Sequence, residues 1–279
     1  MFHIETMTPE DFDFAVQITD KMNWDLTPAD FEFMIELEPD GCFILLEDSK
    51  KIGLATTVSF ETIGWFGNLI VNESYRKRGA GSQLVRHSVE YLSRKLVRTV
   101  GLYAYMDRIS FYERLGFRCD IEFKVLTGRG SSLPAKSASV LADKQDLQKI
   151  IEFDQSCFGA SRRKLLEPIL LDSDNFCLLS VERERIIGYV VAKVYRQMSE
   201  IGPLVCQKGR EDVAINLLRS ALSRLEGFEV SMYAPSGAST ILDFLKKLGF
   251  AETFRVVRMF HGSPIVEDCI YMAESLERG

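Results

Sequence analysis

The chain has 279 residues, 46% hydrophobic and 27% charged, with a formal net charge of −6 and a pI near 5.3. That size suits two globular domains, each with its own core, while the acidic balance argues against a general binder of nucleic acid or anionic membranes, which needs a spread of excess Lys and Arg. No run reaches the roughly 18 apolar residues of a membrane span, and Met1-Phe-His-Ile-Glu-Thr6 lacks a signal peptide's regions, so a cytoplasmic protein is expected.

In chain order, a strand near His3 to Thr6 leads to a helix opened by Thr8-Pro9-Glu10, with threonine as N-cap and proline in the first turn. Thr27-Pro28-Ala29-Asp30 starts a second helix, whose apolar stripe of Phe31, Met34, Ile35 and Leu37 stops at Pro39-Asp40-Gly41. Cys42 to Leu46 and Ile52 to Phe60 predict a hairpin, and Trp65 to Val71 the next strand. A basic turn, Arg76-Lys77-Arg78-Gly79-Ala80-Gly81-Ser82, then opens a helix with Leu84, Val85, Ser88, Val89 and Leu92 on one face. Val97 to Ala104 reads as a strand, Ser110 to Leu115 as a short helix and Phe117 to Leu126 as a closing strand.

The basic turn carries the chemistry. Bare N–H groups at a helix N-terminus favour anions through the helix dipole, and Gly79 and Gly81 remove Cβ atoms that would keep an oxyanion away. With three cations around it, the turn reads as a diphosphate site. It is neither a P-loop, which needs Gly-Lys-Ser/Thr, nor G-x-G-x-x-G, since no third glycine follows Gly81. The plain alternative is an ordinary strand-to-helix connection, but Gly-Ala-Gly opening a helix is costly by propensity unless something must approach the backbone.

Gly128-Arg-Gly-Ser-Ser-Leu-Pro-Ala135 has the best linker composition in the chain, which divides it into a first domain at 1–127, a linker at 128–136 and a second domain at 137–279. The second repeats the plan: helices Lys144 to Phe153 and Arg162 to Leu171, strands Phe176 to Val181, Ile186 to Tyr195 and Ile201 to Val205, and helix Val213 to Leu225. Strand Phe228 to Tyr233, helix Thr240 to Leu248 and strand Phe250 to Met259 complete it. Leu115-Gly-Phe117 and Leu248-Gly-Phe250 mark corresponding helix ends, so an internal duplication is expected. The chemistry is not copied. The second helix entry, Gln207-Lys-Gly-Arg-Glu-Asp-Val-Ala214, has one glycine and two carboxylates, and Leu245 stands where the first half has Tyr112.

Six single cysteines with no C-x-x-C pair, and only His3, His87 and His261, predict reduced core thiols and no metal centre.

Strand, Val71, Arg76-x-x-Gly79-x-Gly81 and helix together resemble the coenzyme A loop of the Gcn5-related N-acetyltransferases (GNAT), and Phe111-Tyr-Glu-Arg-Leu-Gly-Phe117 resembles the family's second signature. Phe158-Gly-Ala-Ser-Arg-Arg-Lys-Leu-Leu166, Ile201-Gly-Pro-Leu-Val205 and Arg258-Met-Phe-His-Gly262 look like the C-terminal domain of the two-domain YitH-type acetyltransferases, in which an active half precedes a degenerate one. The resemblance implies an α/β fold of tandem GNAT-like domains with mixed sheets. It also implies acetyl-CoA as co-substrate without a metal, and direct attack by an amine of a small-molecule or peptide acceptor. Under it, Gly79, Ala80, Gly81 and Ser82 hold the pyrophosphate, Arg76, Lys77 and Arg78 supply charge, Leu69, Ile70 and Val71 offer strand backbone to the pantetheine, and Tyr112 protonates the departing thiolate. Where the family often has Asn and Ala upstream of that tyrosine, this chain has Tyr105 and Arg108. A monomer or homodimer with no nucleic-acid or membrane partner is expected, and a non-catalytic acyl-CoA binding or sensing protein is the competing class.

The attacking amine must lose a proton, and Glu61, Glu73 and Asp107, each near an expected strand end, are the candidate bases. Trp24, Phe31, Phe33, Phe60, Trp65 and Phe66 read first as core, with an acceptor pocket as the alternative.

Overall fold

The computed structural model describes residues 1–134, 139–265 and 269–279. The first half runs β1 (Phe2–Thr6), α1 (Phe12–Asp20), α2 (Pro28–Leu37), β2 (Cys42–Glu47), β3 (Lys50–Phe60), β4 (Ile63–Val71), α3 (Ala80–Arg94), β5 (Thr99–Tyr105), α4 (Ile109–Glu113) and β6 (Arg118–Arg129). The second runs β7 (Val140–Leu141), α5 (Leu147–Phe158), α6 (Arg163–Leu171), β8 (Phe176–Glu182), β9 (Arg185–Tyr195), β10 (Met198–Gln207), α7 (Glu211–Arg224), β11 (Glu229–Pro235), α8 (Ser239–Lys247) and β12 (Ala251–His261). Among the described residues the strands and α-helices follow the same order in both, and β13 (Cys269–Met272) is an additional strand. The helix starts follow local chemistry: the Asp11 carboxylate accepts the Thr8 N–H at 2.8 Å, and Asp30 accepts the Thr27 N–H at 2.7 Å.

All the strands join one mixed sheet, ordered β1-β2-β3-β4-β5-β12-β6-β11-β10-β9-β8-β7, with β13 pairing to β10 off that path. The halves interleave at its centre. Strand β12 lies antiparallel between β5 and β6, and β6 lies antiparallel between β12 and β11, so each half's last strand completes the other half's sheet. Residues 128 and 129 of the expected linker belong to β6, and residues 135–138 lie outside those described.

Successive side chains on a strand face opposite sides, and the sheet is covered on both. Trp65 joins a core under α1, α2, α5 and α6 with Phe31, Met34, Phe158 and Leu165. Its neighbour Phe66 joins a separate core under α3 and α4 with Val71, Leu84, Val85 and Phe117. A third cluster packs α7 and α8 on the second half.

Buried charge ties these layers together. Arg162 is fully buried, donating to Asp154 at 2.7 and 3.0 Å and to the Tyr271 hydroxyl at 2.8 Å. Glu38, at the end of α2, accepts the Ser59 N–H at 2.8 Å, Lys164 of α6 at 2.7 Å and the Tyr91 hydroxyl of α3 at 2.7 Å. Burial alone would raise this carboxyl, but the hydrogen bonds from Lys164, Ser59 and Tyr91 outweigh it and hold the group at about 2 instead of 4.5.

A carboxyl depressed in the folded state stabilises above its unfolded pKa and stops doing so as pH falls through the folded one. Wild type should therefore lose stability to urea between about pH 5 and 2 more steeply than Glu38→Gln, which should already be less stable at pH 7. Parallel slopes for the two proteins would contradict the Glu38 assignment.

Candidate active site

Strands β4 and β5 pair in parallel only from Ile63 opposite Thr99 to Trp65 opposite Gly101. A Cβ at Gly101 would overlap the Trp65 indole, which lies across it with Tyr103 at 5.4 Å and Phe260 at 6.1 Å between ring centroids. Beyond this point the strands part. From Phe66 to Val71, β4 is paired among the described residues to β3 alone, and the register shift there coincides with Asn68 at φ 51, whose Nδ2 donates to Thr56 Oγ1 at 3.1 Å. One edge of Leu69–Val71, of which Ile70 and Val71 are buried, thus faces a gap in the sheet.

Helix α3 starts beside that edge. Gly79 is its N-cap at φ 88, a conformation that disfavours side chains, and nothing lies within 4 Å of where its Cβ would be. A Cβ on Gly81 would meet Phe111 at 3.4 Å and Val71 at 3.9 Å, ordinary contacts, so packing does not demand glycine there. Among the described residues no acceptor takes the N–H groups of Ala80, Gly81 or Ser82.

The three cations differ in what they can offer. Arg76 Nε donates to the Val71 carbonyl at 2.9 Å, and Arg78 pairs with Glu47 at 2.5 Å while lying over the rings of Phe2 and Tyr75. Lys77, exposed at φ 63, makes no ion pair among the described residues.

Through Phe111, α4 sits against the Gly81 turn. Tyr112 follows it, buried against Phe111 at 5.0 Å and Phe117 at 5.8 Å, and its hydroxyl makes no hydrogen bond among the described residues. Burial pushes its phenol up, outweighing the opposing pull of Arg108. The turn, the strand edge and the tyrosine are therefore neighbours on one face.

The candidate bases are not gathered there. Glu61 sits at the opposite end of β4, accepting the Ser161 N–H at 3.2 Å, while Glu73 and Asp107 are exposed, Asp107 beside Arg108 at 3.3 Å. Phe31, Phe60, Trp65 and Phe66 are core. Trp24 and Phe33 are partly exposed, with Trp24 Nε1 donating to the Tyr105 hydroxyl at 3.0 Å.

The segment after β13 also reaches this site, with no motif of its own to announce it. A Cβ on Gly67 would lie 2.7 Å from Glu277 Cα, so residues 274–279 cover β4 at the mouth of the gap, on the face opposite Tyr112. The only signal in the strand itself is the small residue at 67.

The second half builds the same gap and fills it. Strands β10 and β11 pair in parallel from Met198 to Ile201, and Leu204–Gln207 then pairs antiparallel with β13. At the entry to α7, Arg210 is held by Asp212 at 3.0 Å and Glu182 at 2.8 Å. Among the described residues no cluster of His, Cys, Asp or Glu could hold a metal, and no helix is long and apolar enough to cross a membrane.

Comparison with known proteins matches residues 6–117 to the acetyltransferase (GNAT) family and residues 150–270 to an acetyltransferase (GNAT) domain. A holothin acyltransferase from a Pseudoalteromonas strain is 24% identical over 244 residues, which is 86% of this chain and 81% of that one. The crystal structure of a Pyrococcus horikoshii protein aligns with a TM-score of 0.81 at 24% identity, covering 100% of this chain and 96% of that one. A GCN5-related N-acetyltransferase from Sphaerobacter thermophilus aligns at 0.65 and 16% identity, covering 95% and 97%.

If the Trp65 ring holds the strands apart by lying on Gly101, adding one methyl group there must move it. Gly101→Ala should cost about 1–3 kcal/mol of stability in urea unfolding, and an unchanged midpoint would show that the ring has room to shift.

Proposed function

The chain belongs to the Gcn5-related N-acetyltransferases, with one such domain matched in each half, and on that footing we propose that its first half transfers an acetyl group from acetyl-CoA to an amine while its second half binds no coenzyme. Membership supports acyl transfer in general. The finer reading rests on one observation: among the described residues the gap between β4 and β5 is open beside unpartnered helix amides, whereas the gap between β10 and β11 is filled by β13.

The residues present fit the coenzyme. Its pantetheine amides would join the edge of Leu69–Val71 as an added strand does. Its pyrophosphate would take the N–H groups of Ala80, Gly81 and Ser82 at the positive end of α3, with Arg76 and Lys77, which make no ion pair among the described residues, as cations, since Glu47 already neutralises Arg78. When bound, acetyl-CoA supplies the acyl group activated as a thioester. The chain aligns it with the amine, which is where much of an acyl transfer's acceleration arises, and Tyr112 donates toward the sulfur. A buried phenol whose pKa is raised keeps its proton at neutral pH, the resting form an acid needs. The acceptor is a small-molecule or peptide amine, and relatedness at 24% does not carry the holothin relative's acceptor to this chain.

Calorimetry should find about one acetyl-CoA per chain, and Gly81→Glu, which sets bulk and negative charge at the amides, should abolish binding in a folded protein. Two sites per chain would show that β13 does not exclude the coenzyme, and unchanged affinity in the variant would remove the turn from the site. Tyr112→Phe should lower turnover on the order of 10²-fold while barely altering coenzyme affinity. Wild-type turnover in that variant would reduce Tyr112 to packing.

A further inference from the structure

The gap in the sheet has two faces. Gly81, Phe111 and Tyr112 stand on one with Phe66 and Val71. Trp65, Gly67 and Tyr105 stand on the other, with Trp24 bonded to Tyr105 and residues 274–279 laid across Gly67. An amine attacking a thioester held in the gap must come from the face the coenzyme does not occupy.

On that second face, buried charges are paired across strands and the C-terminal segment. Lys193 of β9 pairs with Glu200 of β10 at 2.6 Å and Glu274 at 2.5 Å, and Arg278 pairs with Glu274 at 3.0 Å. Glu277 makes no ion pair among the described residues and is partly exposed, while its backbone packs on Gly67. From its geometry we infer that Glu277 is the catalytic base of the proposed transfer, receiving the proton of a cationic primary amine that enters on the Trp24 and Tyr105 side. This rests on the acyl-transfer reading above.

The groups around Glu277 are Glu200 of β10, Tyr233 of β11, Tyr105 of β5, and Glu274, Ser275 and Arg278 of its own segment. Burial pushes its carboxyl up, Arg278 opposes this, and Glu200 and Glu274 add to it. A base so raised is nearer the operating pH than an exposed glutamate. The aromatic faces of Trp24 and Tyr105 suit the approach of an ammonium.

The step balances. Glu277 takes one proton from the ammonium, and the freed nitrogen lone pair forms the new C–N bond. The C–S bond breaks with its electron pair going to sulfur, which takes the Tyr112 proton, the nitrogen releases its second proton to solvent, and Glu277 returns its proton to solvent while Tyr112 regains one from it. One ammonium and one thioester give one amide, one thiol and one proton.

The test measures thiol release from acetyl-CoA with spermidine, tyramine, glucosamine or a tetrapeptide with a free N-terminus, from about pH 6 to 9. Glu277→Gln should lower kcat/KM for the accepted amine on the order of 10²-fold at pH 7. The defect should shrink as pH rises toward the amine's own pKa, about 10 for an alkylamine, where it needs no base. Affinity for acetyl-CoA should stay within about twofold. If Glu277→Gln unfolds early, Glu277→Asp carries the test, since it should fold, lose rate and keep the fall in activity on the acid side. A folded Gln variant with wild-type rate and pH profile overturns the assignment, as does a defect of equal size at every pH or an Asp variant without the acid limb. Wild type that releases no thiol with any of these amines overturns the acyl-transfer reading itself, and Glu277's role with it.

Discussion

The site depends on an indole lying across a neighbouring strand. Trp65 occupies the space a Cβ on Gly101 would need, and the parallel ladder between β4 and β5 ends at that pair. Its ring is fixed from several sides. Tyr103 and Phe260 pack against it, and the backbone at Gly279 comes so close that a Cβ there would lie 2.8 Å from the ring. Among the described residues the buried indole Nε1 has no hydrogen-bond partner, a state that costs about 1–3 kcal/mol. Packing of this extent offsets such a cost.

Two of those supports come from the second half of the chain, Phe260 on β12 and Gly279 beyond β13. Because β12 lies beside β5, the second half is a wall of the first half's sheet as well as a neighbour to it. Arg162, held by Asp154, also donates to the Gly279 carbonyl at 3.0 Å. A half that binds no coenzyme would still be needed to shape the gap of the half that does.

What was legible in the sequence was local. The capping threonines, the glycine turn and the Phe111-to-Phe117 helix each declare themselves within a few residues, because caps, dipoles and left-handed glycines are properties of short backbone. What was hidden depended on residues far apart. Gly128 and Arg129 have linker composition, yet β11 holds them in a strand. Arg78 reads as a cation for phosphate until β2 brings Glu47 to it. Glu277 gives no sign near the gap, because 210 positions separate it from Gly67, and only the fold places it there.

The stopper in the second gap also constrains history. If β13 keeps coenzyme from the β10 edge, changes at the α7 turn no longer affect its capture, and carboxylates such as Glu211 and Asp212 can accumulate there at no functional cost. Reversal then faces two obstacles that no single substitution removes, because a glycine turn restored alone would still open onto an edge already saturated with hydrogen bonds. Under that reading the duplicated fold is a one-way product, with a second copy that a single substitution at the turn does not make into a coenzyme site.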